Sequence, residues 1–240
     1  MNAGAYAVKA AVPDSGNFGA DTVEVGRFRI LKRKIALNAE TSTVAQKTYD
    51  GRDTANVDID VAFSNLAPIG NPETLTLNTD YRIDSARFDS ASVGSSRKVT
   101  AYVSLIAGGE NAKNYAFGGS SPASSSVTKT GVSIIPKEIA LDATSSTVAQ
   151  KIYDGTDTAN VEISVAFTAL VTGDALTLGD DYTVDSARFD SKDVGSRTAT
   201  VYVSLVAGGS KAKNYLFGSS SSTSNAPSTS GRFQWLMVNG

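Results

Sequence analysis

The 240-residue chain contains neither cysteine nor histidine. A chain without cysteine has no disulfide, no thiol nucleophile and no zinc–thiolate site. A chain without histidine lacks the commonest general base and the commonest transition-metal ligand. The composition therefore excludes catalysis that depends on either of these side chains.

Strong charge and long apolar runs are also missing. The chain has 22 basic and 24 acidic residues and a formal net charge of -2. This balance gives no strong field that would attract nucleic acid, so we expect no nucleic-acid partner. No apolar run reaches the roughly 18 residues of a membrane-spanning helix, so we expect no membrane insertion. The first residues lack a signal-peptide pattern, which favours either a removed signal or a piece of a longer protein.

What the chain does have is an internal repeat. "IALNAETSTVAQKTYDG" begins at Ile35, and "IALDATSSTVAQKIYDG" begins at Ile139. "DSARFDS", "YVSL" and "AKNY" also occur once in each copy, in the same order, and most aligned positions are identical. Such a period indicates tandem copies of one structural unit. We predict two repeats, at residues 34–137 and 138–240.

The first 33 residues predict part of another unit. "AYAVKAAVPDSGNFG", which starts at Ala5, aligns with "AYVSLIAGGENAKNYAFG", which starts at Ala101. Residues 1–33 are therefore expected to be the C-terminal part of a preceding repeat. Since they hold too few strands to be stable alone, they are expected to pack on the first repeat or to complete a sheet in another chain.

Hydrophobic alternation predicts strands. In "VDIDVAF", residues 57–63, every second residue is apolar, and the second copy keeps this pattern at 161–167. Period two marks a strand with one buried face and one wet face. About seven such segments per hundred residues, with Gly, Asp, Asn and Ser between them, are typical of a sandwich. The predicted fold class is all-β, with tandem immunoglobulin-like antiparallel β-sandwiches preceded by a partial unit.

Two polar stretches look like linkers but are interpreted differently. Residues 118–131 and 218–231 are rich in Ser and Thr, and each lies before the last predicted strand of its own repeat. We therefore expect variable loops or edge strands inside the repeats. An insertion in the first copy, at 68–72, is also expected to form a loop. The junctions are placed near Lys34 and Lys137, where the sequence between strands is short.

These motifs resemble a known family. "K-x-Y-D-G" at 47–51 and 151–155, "ARFDS" followed by V-G, and the late "NY" resemble the YDG-type repeat of bacterial surface proteins. Residues 1–33 are similar to the end of the related MBG-type repeat, although Phe18 stands where that pattern has Tyr. The resemblance implies immunoglobulin-like modules of large secreted or wall-attached adhesins, and hence an extracellular location on a bacterial surface.

The YDG phrase has two interpretations. Asp-Gly is a turn pair, and the preceding Tyr can pack its ring on a core while its hydroxyl finds a partner. Alternatively, nearby carboxylates could supply oxygen ligands for Ca²⁺, although the spacing is not that of an EF-hand. The candidate calcium ligands are Asp50, Asp53, Asp154, Asp157, Asp180 and Asp181, with Asn56, Asp58, Asn160 and Glu162 as neighbours. No other cofactor is expected.

A recurring Lys and a recurring Asn suggest a cross-link. Lys47 with Asn114, and Lys151 with Asn214, stand at opposite ends of their repeats and could form intramolecular isopeptide bonds. The alternative is that each Lys is a charge on an edge strand and each Asn is a turn residue. The candidate proton shuttles are Asp84, Asp89, Asp185 and Asp190.

The sequence favours a structural role over an enzymatic one. No G-x-S-x-G motif appears, and the Asp pairs recur identically in both copies, so we expect no enzyme activity. The leading hypothesis is a stalk of repeats that projects a distal binding domain, with neighbouring repeats of the same polypeptide as partners. One alternative is a module that binds host glycan or protein through Tyr102 and Tyr202. Another is a fibre subunit that exchanges strands.

Overall fold

A computed structural model describes residues 2–15, 19–67, 73–218 and 230–236, with only the backbone described at most positions of the last segment. The described residues form β-strands and two short 3-10 helices, and they contain no α-helix. None of the described helices has the length and apolar character to cross a bilayer. The predicted all-β class is confirmed. The insertion at 68–72, Phe18 and residues 219–229 lie outside the described residues.

The chain divides into two compact units. Unit 1 contains residues 1–45, 54–89 and 98–132. Unit 2 contains residues 133–240 together with two earlier segments, 46–53 and 90–97. The first of these segments holds the KTYDG phrase, so the compact units differ from the sequence repeats. The repeat boundaries at Lys34 and Lys137 stay predictions about the sequence repeats.

The described residues before position 136 form nine strands. They are β1 Gly4–Val12, β2 Asp21–Ile30, β3 Arg33–Val44, β4 Lys47–Thr48, β5 Ile59–Ser64, β6 Tyr81–Phe88, β7 Gly94–Leu105, β8 Tyr115–Phe117 and β9 Ser124–Ile135, with a 3-10 helix at Ala112–Asn114 before β8. Strands β1 and β2 form an antiparallel hairpin. The other sheets of unit 1 have the orders β5-β3-β8 and β9-β7-β6. Strand β8 lies parallel to β3, whereas β5 lies antiparallel to it.

The core of unit 1 follows from the period-two pattern. Strand β5 alternates buried Val61 with more exposed neighbours, and β7 buries Val99, Ala101 and Val103. Val61 and Val103 belong to one apolar core with side chains from β3, β6 and β8. At about 25 cal/mol per Å² of buried apolar surface, this core is the main favourable term in the folding of the unit. Phe63 packs edge-on against Tyr81 within it, with ring centroids 4.9 Å apart.

Unit 2 repeats this architecture. Its strands from residue 137 onward are β10 Lys137–Val148, β11 Ile163–Thr168, β12 Tyr182–Phe189, β13 Thr198–Leu205, β14 Tyr215–Phe217 and β15 Ser230–Leu236, with a 3-10 helix at Ala212–Asn214. The sheet orders are β11-β10-β14 and β12-β13-β15. Phe167 packs on Tyr182 with ring centroids 5.1 Å apart, as Phe63 packs on Tyr81 in unit 1. Near-identical sequences thus produce near-identical cores.

Strand β4 is short but informative. Lys47 and Thr48 pair in parallel with Ile134 and Ile135, the end of β9, and all four residues belong to unit 2. The Tyr49 N–H then donates to the Ile135 carbonyl at 2.9 Å. The start of the KTYDG phrase is therefore held by backbone hydrogen bonds, which fixes where its side chains lie.

Candidate functional site

The KTYDG phrase forms the predicted turn. Gly51 has a φ of 77°, a region that glycine enters without steric penalty. The Asp50 carboxylate accepts a hydrogen bond from the Arg52 N–H at 2.9 Å. The Lys47 ammonium donates to the Arg52 carbonyl at 2.8 Å and pairs with Asp50 at 2.8 Å. The turn interpretation of the phrase is confirmed.

The KIYDG phrase forms the same turn. Gly155 has a φ of 79°, and Asp154 accepts from the Thr156 N–H at 2.9 Å. The Lys151 ammonium donates to the Thr158 carbonyl at 2.7 Å and pairs with Asp154 at 2.8 Å. Hydrogen bonds from Lys151 and Thr156 hold the pKa of Asp154 at about 2. The conformation of the turn therefore recurs with the sequence.

The tyrosine of the first phrase is buried in a polar cluster of unit 2. Tyr49 is 5% exposed, and its hydroxyl donates to Asp174 Oδ2 at 2.8 Å. The Tyr215 hydroxyl donates to the same oxygen at 2.7 Å, and the Lys211 ammonium donates to Asp174 Oδ1. The rings of Tyr49 and Tyr215 meet edge to face, with centroids 5.4 Å apart. We call Tyr49, Asp174, Lys211 and Tyr215 the tyrosine cluster.

Burial and charge shift the ionisation of this cluster. Burial, and then the hydrogen bond to Asp174, raise the pKa of Tyr49 to about 12. Burial and the same carboxylate also raise the pKa of Tyr215. Burial pushes the pKa of Asp174 upward, but hydrogen bonds from Lys211 and the two tyrosines outweigh it and lower that pKa. At neutral pH Asp174 is therefore ionised and the two phenols are neutral.

Asn214, which precedes Tyr215, accepts a backbone hydrogen bond. Its side chain is 2% exposed, and its Oδ1 accepts from the Val93 N–H at 3.0 Å within unit 2. In unit 1, Asn114 Oδ1 accepts from the Ala3 N–H at 2.9 Å. Residues 1–33 thus contact the first repeat inside unit 1. Both Asn side chains have the same role, which is to bind the backbone of a segment earlier in the chain.

This role bears on the isopeptide hypothesis. Within unit 2, the Lys151 ammonium contacts Asp154, Thr156 and Thr158, while the Asn214 amide contacts Val93. The cross-link stays a prediction. It is tested by intact mass, because each bond that forms releases one ammonia. An unchanged mass would show that no cross-link forms and that the Lys and Asn side chains only make hydrogen bonds.

The candidate proton shuttles have polar partners of their own. Asp84 pairs with Arg82 at 2.7 Å and accepts from the Ser104 hydroxyl. Asp185 accepts from the Ser204 hydroxyl at 2.6 Å and from Thr183 at 3.0 Å. These contacts lie at corresponding positions of the two repeats. The backbone N–H of Asp89 donates to the Lys98 carbonyl, and that of Asp190 donates to the Thr198 carbonyl, both at 2.9 Å.

The six calcium candidates are distributed over several sites. Asp50 and Asp154 bind the lysines of their own turns, and Asp157 pairs with Arg188 at 3.0 Å. Asp53 also has an interaction partner, and Asp180 is exposed beside the buried Asp181. In the part of the chain that the structure describes, no three or more acidic side chains gather as a metal-binding group. Calcium binding stays a prediction, and isothermal titration with Ca²⁺ tests it.

Asp181 and its counterpart Asp80 are buried acceptors. Asp181 is 2% exposed, and its Oδ1 accepts from the N–H groups of Lys211 at 2.8 Å and Ala212 at 3.0 Å. Its Oδ2 accepts from the Thr177 N–H at 3.1 Å. Burial opposes ionisation, but these backbone donors outweigh it and lower the pKa. The carboxylate therefore ties the loop before β14 to the loop before β12.

Two open grooves recur beside the other calcium neighbours. In unit 1, Asn56 and Asp58 line a groove of about 810 Å³. In unit 2, Asn160 and Glu162 line a corresponding groove of about 700 Å³. The grooves are formed from the segment before β5 or β11 and from the strand β6 or β12. Each repeat therefore has its own groove with a polar lining.

The two candidate ligand-binding tyrosines lie on the outer strand faces, as the alternation predicted. Tyr102 is 52% exposed and Tyr202 is 36% exposed. In β7 and β13 these residues alternate with buried Ala101, Val103, Val201 and Val203. Each tyrosine therefore offers an aromatic surface to solvent.

The sequence interpretation missed Asp174 as a partner of tyrosine. A signal existed, since Glu73 stands at the corresponding place before "LTL" and accepts from the Tyr115 hydroxyl in unit 1. An acidic residue before "LTL" and a late Tyr thus recur together. No sequence pattern indicated the contact between Tyr49 and Asp174, because the two residues are 125 positions apart and belong to different copies of the repeat.

One protein-family model matches the chain, at two successive ranges of residues. No curated protein and no solved structure matches the chain. The YDG domain matches residues 32–125 and again residues 135–224. Each match includes one Y-D-G turn, one acidic residue before "LTL" and one late Asn-Tyr pair. The chain therefore belongs to the YDG domain family, as a tandem of two copies.

Proposed function

We propose that the two YDG domains are stalk repeats of a bacterial cell-surface adhesin and place a distal binding domain away from the cell. The tandem match supports this proposal, because stacked copies of one unit form extended structures. The main support is the tyrosine cluster, in which the Y-D-G turn of the first sequence repeat is an integral part of the compact unit of the second. A bare linker between repeats would not need such contacts. The proposed location is extracellular and the proposed role is not enzymatic.

The chemistry of the cluster suits a mechanical part. Tyr49 and Tyr215 are neutral donors to a carboxylate that also holds a lysine. Hydrogen bonds to a charged acceptor are each worth about 1.5–3 kcal/mol, and buried ones resist separation. The contact network is therefore suited to holding a segment in place.

The experiment changes the number of repeats in the parent protein on the cell surface. A stalk predicts that the reach of the adhesin, measured by electron microscopy or by binding to beads at a set distance, grows with each added YDG repeat. Deleting residues 138–230 should shorten the reach. A reach that is independent of repeat number would refute the proposal.

A second candidate function is supported by the exposed tyrosines. Tyr102 and Tyr202 stand at corresponding positions of β7 and β13, and exposed aromatic rings are common contacts for sugars and proteins. The partner would be a host glycan or a host matrix protein. A glycan array and a titration with matrix protein test this function. Saturable binding that is lost in Tyr202→Ala would support it, and no binding at millimolar concentration would refute it.

A further inference from the structure

Two turns with the same sequence have different surroundings. Tyr49 is 5% exposed, whereas the corresponding Tyr153 is 59% exposed. A Cβ added at Gly51 would lie 3.0 Å from a methyl group of Val171, whereas a Cβ added at Gly155 would meet no described atom within 4 Å. The turns share the Y-D-G residues and nearly the same glycine φ, so we attribute the difference to what covers them.

The neighbouring V-G loops differ in the same way. Val93 donates its N–H to Asn214 and is half-buried, whereas Val194 is 82% exposed. Both loops nevertheless have the same internal hydrogen bonds. The Arg97 guanidinium donates to the Val93 carbonyl at 2.7 Å, and the Arg197 guanidinium donates to the Val194 carbonyl at 3.3 Å. The second loop is therefore held in position without a cover.

A concave surface lies between the second turn and the second loop. Its volume is about 320 Å³, and its lining includes Lys151, Tyr153, Phe189, Val194 and Arg197. It combines an exposed aromatic ring and an exposed valine with hydrogen-bond donors. Apolar groups held in solvent beside such donors are typical of a surface that binds another protein.

We propose that Tyr153, Gly155 and Val194, the Tyr153 face, dock a further YDG repeat that is joined in tandem after this one. The Tyr153 hydroxyl donates to an acidic residue of that repeat at the position of Asp174. The Val194 N–H donates to an asparagine at the position of Asn214. The tyrosine that comes after this asparagine packs edge-on against the ring of Tyr153. This inference deepens the proposed stalk function and rests on it for the source of the partner.

The complementary half of this contact also recurs. In unit 1, Asn114 accepts a backbone N–H, from Ala3, as Asn214 does in unit 2. Tyr115 donates its hydroxyl to Glu73, as Tyr215 donates to Asp174. An Asn-Tyr pair beside a carboxylate is therefore present in each repeat.

Little ordering is needed for docking. The turn and the loop of the Tyr153 face already have the side-chain hydrogen bonds of Lys151 with Asp154 and of Arg197 with the Val194 carbonyl. Ordering flexible groups is a large part of the free-energy cost of association, so a face that is already ordered binds with less loss. A tandem partner also has a high effective concentration, because it is tethered.

The test lengthens the full chain. A second copy of residues 131–230 is inserted after residue 230, with Phe in place of the copied Tyr153, so that only the original Tyr153 is monitored. Tetranitromethane nitrates exposed tyrosines, and peptide mapping gives the rate at each site. We expect nitration of Tyr153 to slow by about tenfold or more relative to the 240-residue chain. Tyr102 serves as the reference, and its rate should not change.

A variant inside the added copy serves as the matched control. Ala replaces the residue that corresponds to Asp174, which removes the hydrogen-bond acceptor. Nitration of Tyr153 should then recover most of its original rate. A Tyr153 that reacts equally fast with and without the added copy would overturn the inference. It would leave the stalk proposal standing, because that proposal is tested by reach. Protection that depends on protein concentration rather than on the added copy would also overturn it.

A second experiment needs no added repeat. The first turn and loop receive the residues of the second at four positions through Thr48→Ile, Arg52→Thr, Ala91→Lys and Ser92→Asp in the 240-residue chain. If the two faces are equivalent, Tyr49 stays protected from nitration. If Tyr49 becomes as reactive as Tyr153, the second face does not fit this kind of partner and the inference fails.

Discussion

Replacing Tyr49 with Phe removes one hydroxyl from the tyrosine cluster. The Tyr49 hydroxyl donates to Asp174 at 2.8 Å, and the Tyr49 side chain is buried in unit 2. In this variant Asp174 still accepts hydrogen bonds from Tyr215 and Lys211, so its buried carboxylate keeps two donors. A hydrogen bond to a charged acceptor contributes about 1.5–3 kcal/mol, and the partial compensation places the expected loss near 2 kcal/mol.

The chain provides a matched control for this variant. Tyr153→Phe makes the same chemical change in the same turn, but Tyr153 is 59% exposed. Exposed substitutions usually change stability by less than about 0.5 kcal/mol. The difference between the two losses in unfolding free energy therefore measures the effect of the surroundings of Tyr49, because the change within the turn is the same.

Urea unfolding, detected by far-ultraviolet circular dichroism, measures both variants. A double-mutant cycle with Asp174→Ala, which removes the acceptor, then tests the assigned partner. If the hydroxyl acts through Asp174, Tyr49→Phe should lose most of its effect in the Asp174→Ala background. Equal effects of Tyr49→Phe and Tyr153→Phe would refute the reasoning, as would a Tyr49 effect that does not depend on Asp174.

Three other changes have defined outcomes. Because the pKa of Tyr49 is raised to about 12 in the folded state, its contribution to stability should be constant up to pH 10 and fall by roughly 1.4 kcal/mol per pH unit from there to pH 12. Tyr215 adds a loss in the same direction, and the Tyr49 share is the part that disappears in Tyr49→Phe when unfolding is measured against pH. Gly51→Ala and Gly155→Ala share the strain of positive φ, about 1 kcal/mol, but Gly51→Ala should lose more in urea unfolding because its methyl group meets a valine. Asp181→Ala leaves three backbone donors without an acceptor and should destabilise the chain by about 3 kcal/mol in the same assay, while the exposed Asp180→Ala should have little effect.

Local patterns predicted much of the fold. "YRIDSARF" gave strand β6 at Tyr81–Phe88, and the alternation in "VDIDVAF" gave β5, which begins two residues later at Ile59. The turn at Gly51 was expected from the Asp-Gly pair. These features depend on residues close in sequence, so a single chain carries enough information for them.

The segment "TLTL", residues 74–77, has the period-two alternation that predicts a strand, and that prediction is wrong. In the structure it leads into a turn, and Leu77 makes only an isolated bridge to Tyr81. The buried Asp80 accepts from the Thr76 N–H at 3.1 Å, and the Asp80 N–H donates to the Thr76 carbonyl at 2.8 Å. These bonds hold residues 76–80 in a turn rather than in a strand. Asp side chains compete with a sheet for backbone donors, and alternation alone does not reveal that competition.

Strand direction was also beyond the sequence patterns. The prediction was antiparallel pairing, but β8 and β14 lie parallel to β3 and β10. Each parallel pairing covers three residues and joins segments about eighty positions apart. Such contacts are set by how the whole sandwich closes, and period-two alternation is the same in both directions.

The candidate site shows that a repeated sequence does not guarantee a repeated environment. Tyr49 and Tyr153 share a turn, a glycine with the same φ and a lysine with the same partners, yet one hydroxyl is buried against Asp174 and the other side chain faces solvent. The carboxylate that decides this lies in the other copy of the sequence. The free energy of the first Y-D-G turn therefore depends on the repeat that follows it, a nearest-neighbour dependence that is common in tandem-repeat proteins. A chain that ends at residue 137 would keep the turn and lose the hydrogen bond of its tyrosine, so the first repeat should be less stable alone than within the 240-residue chain.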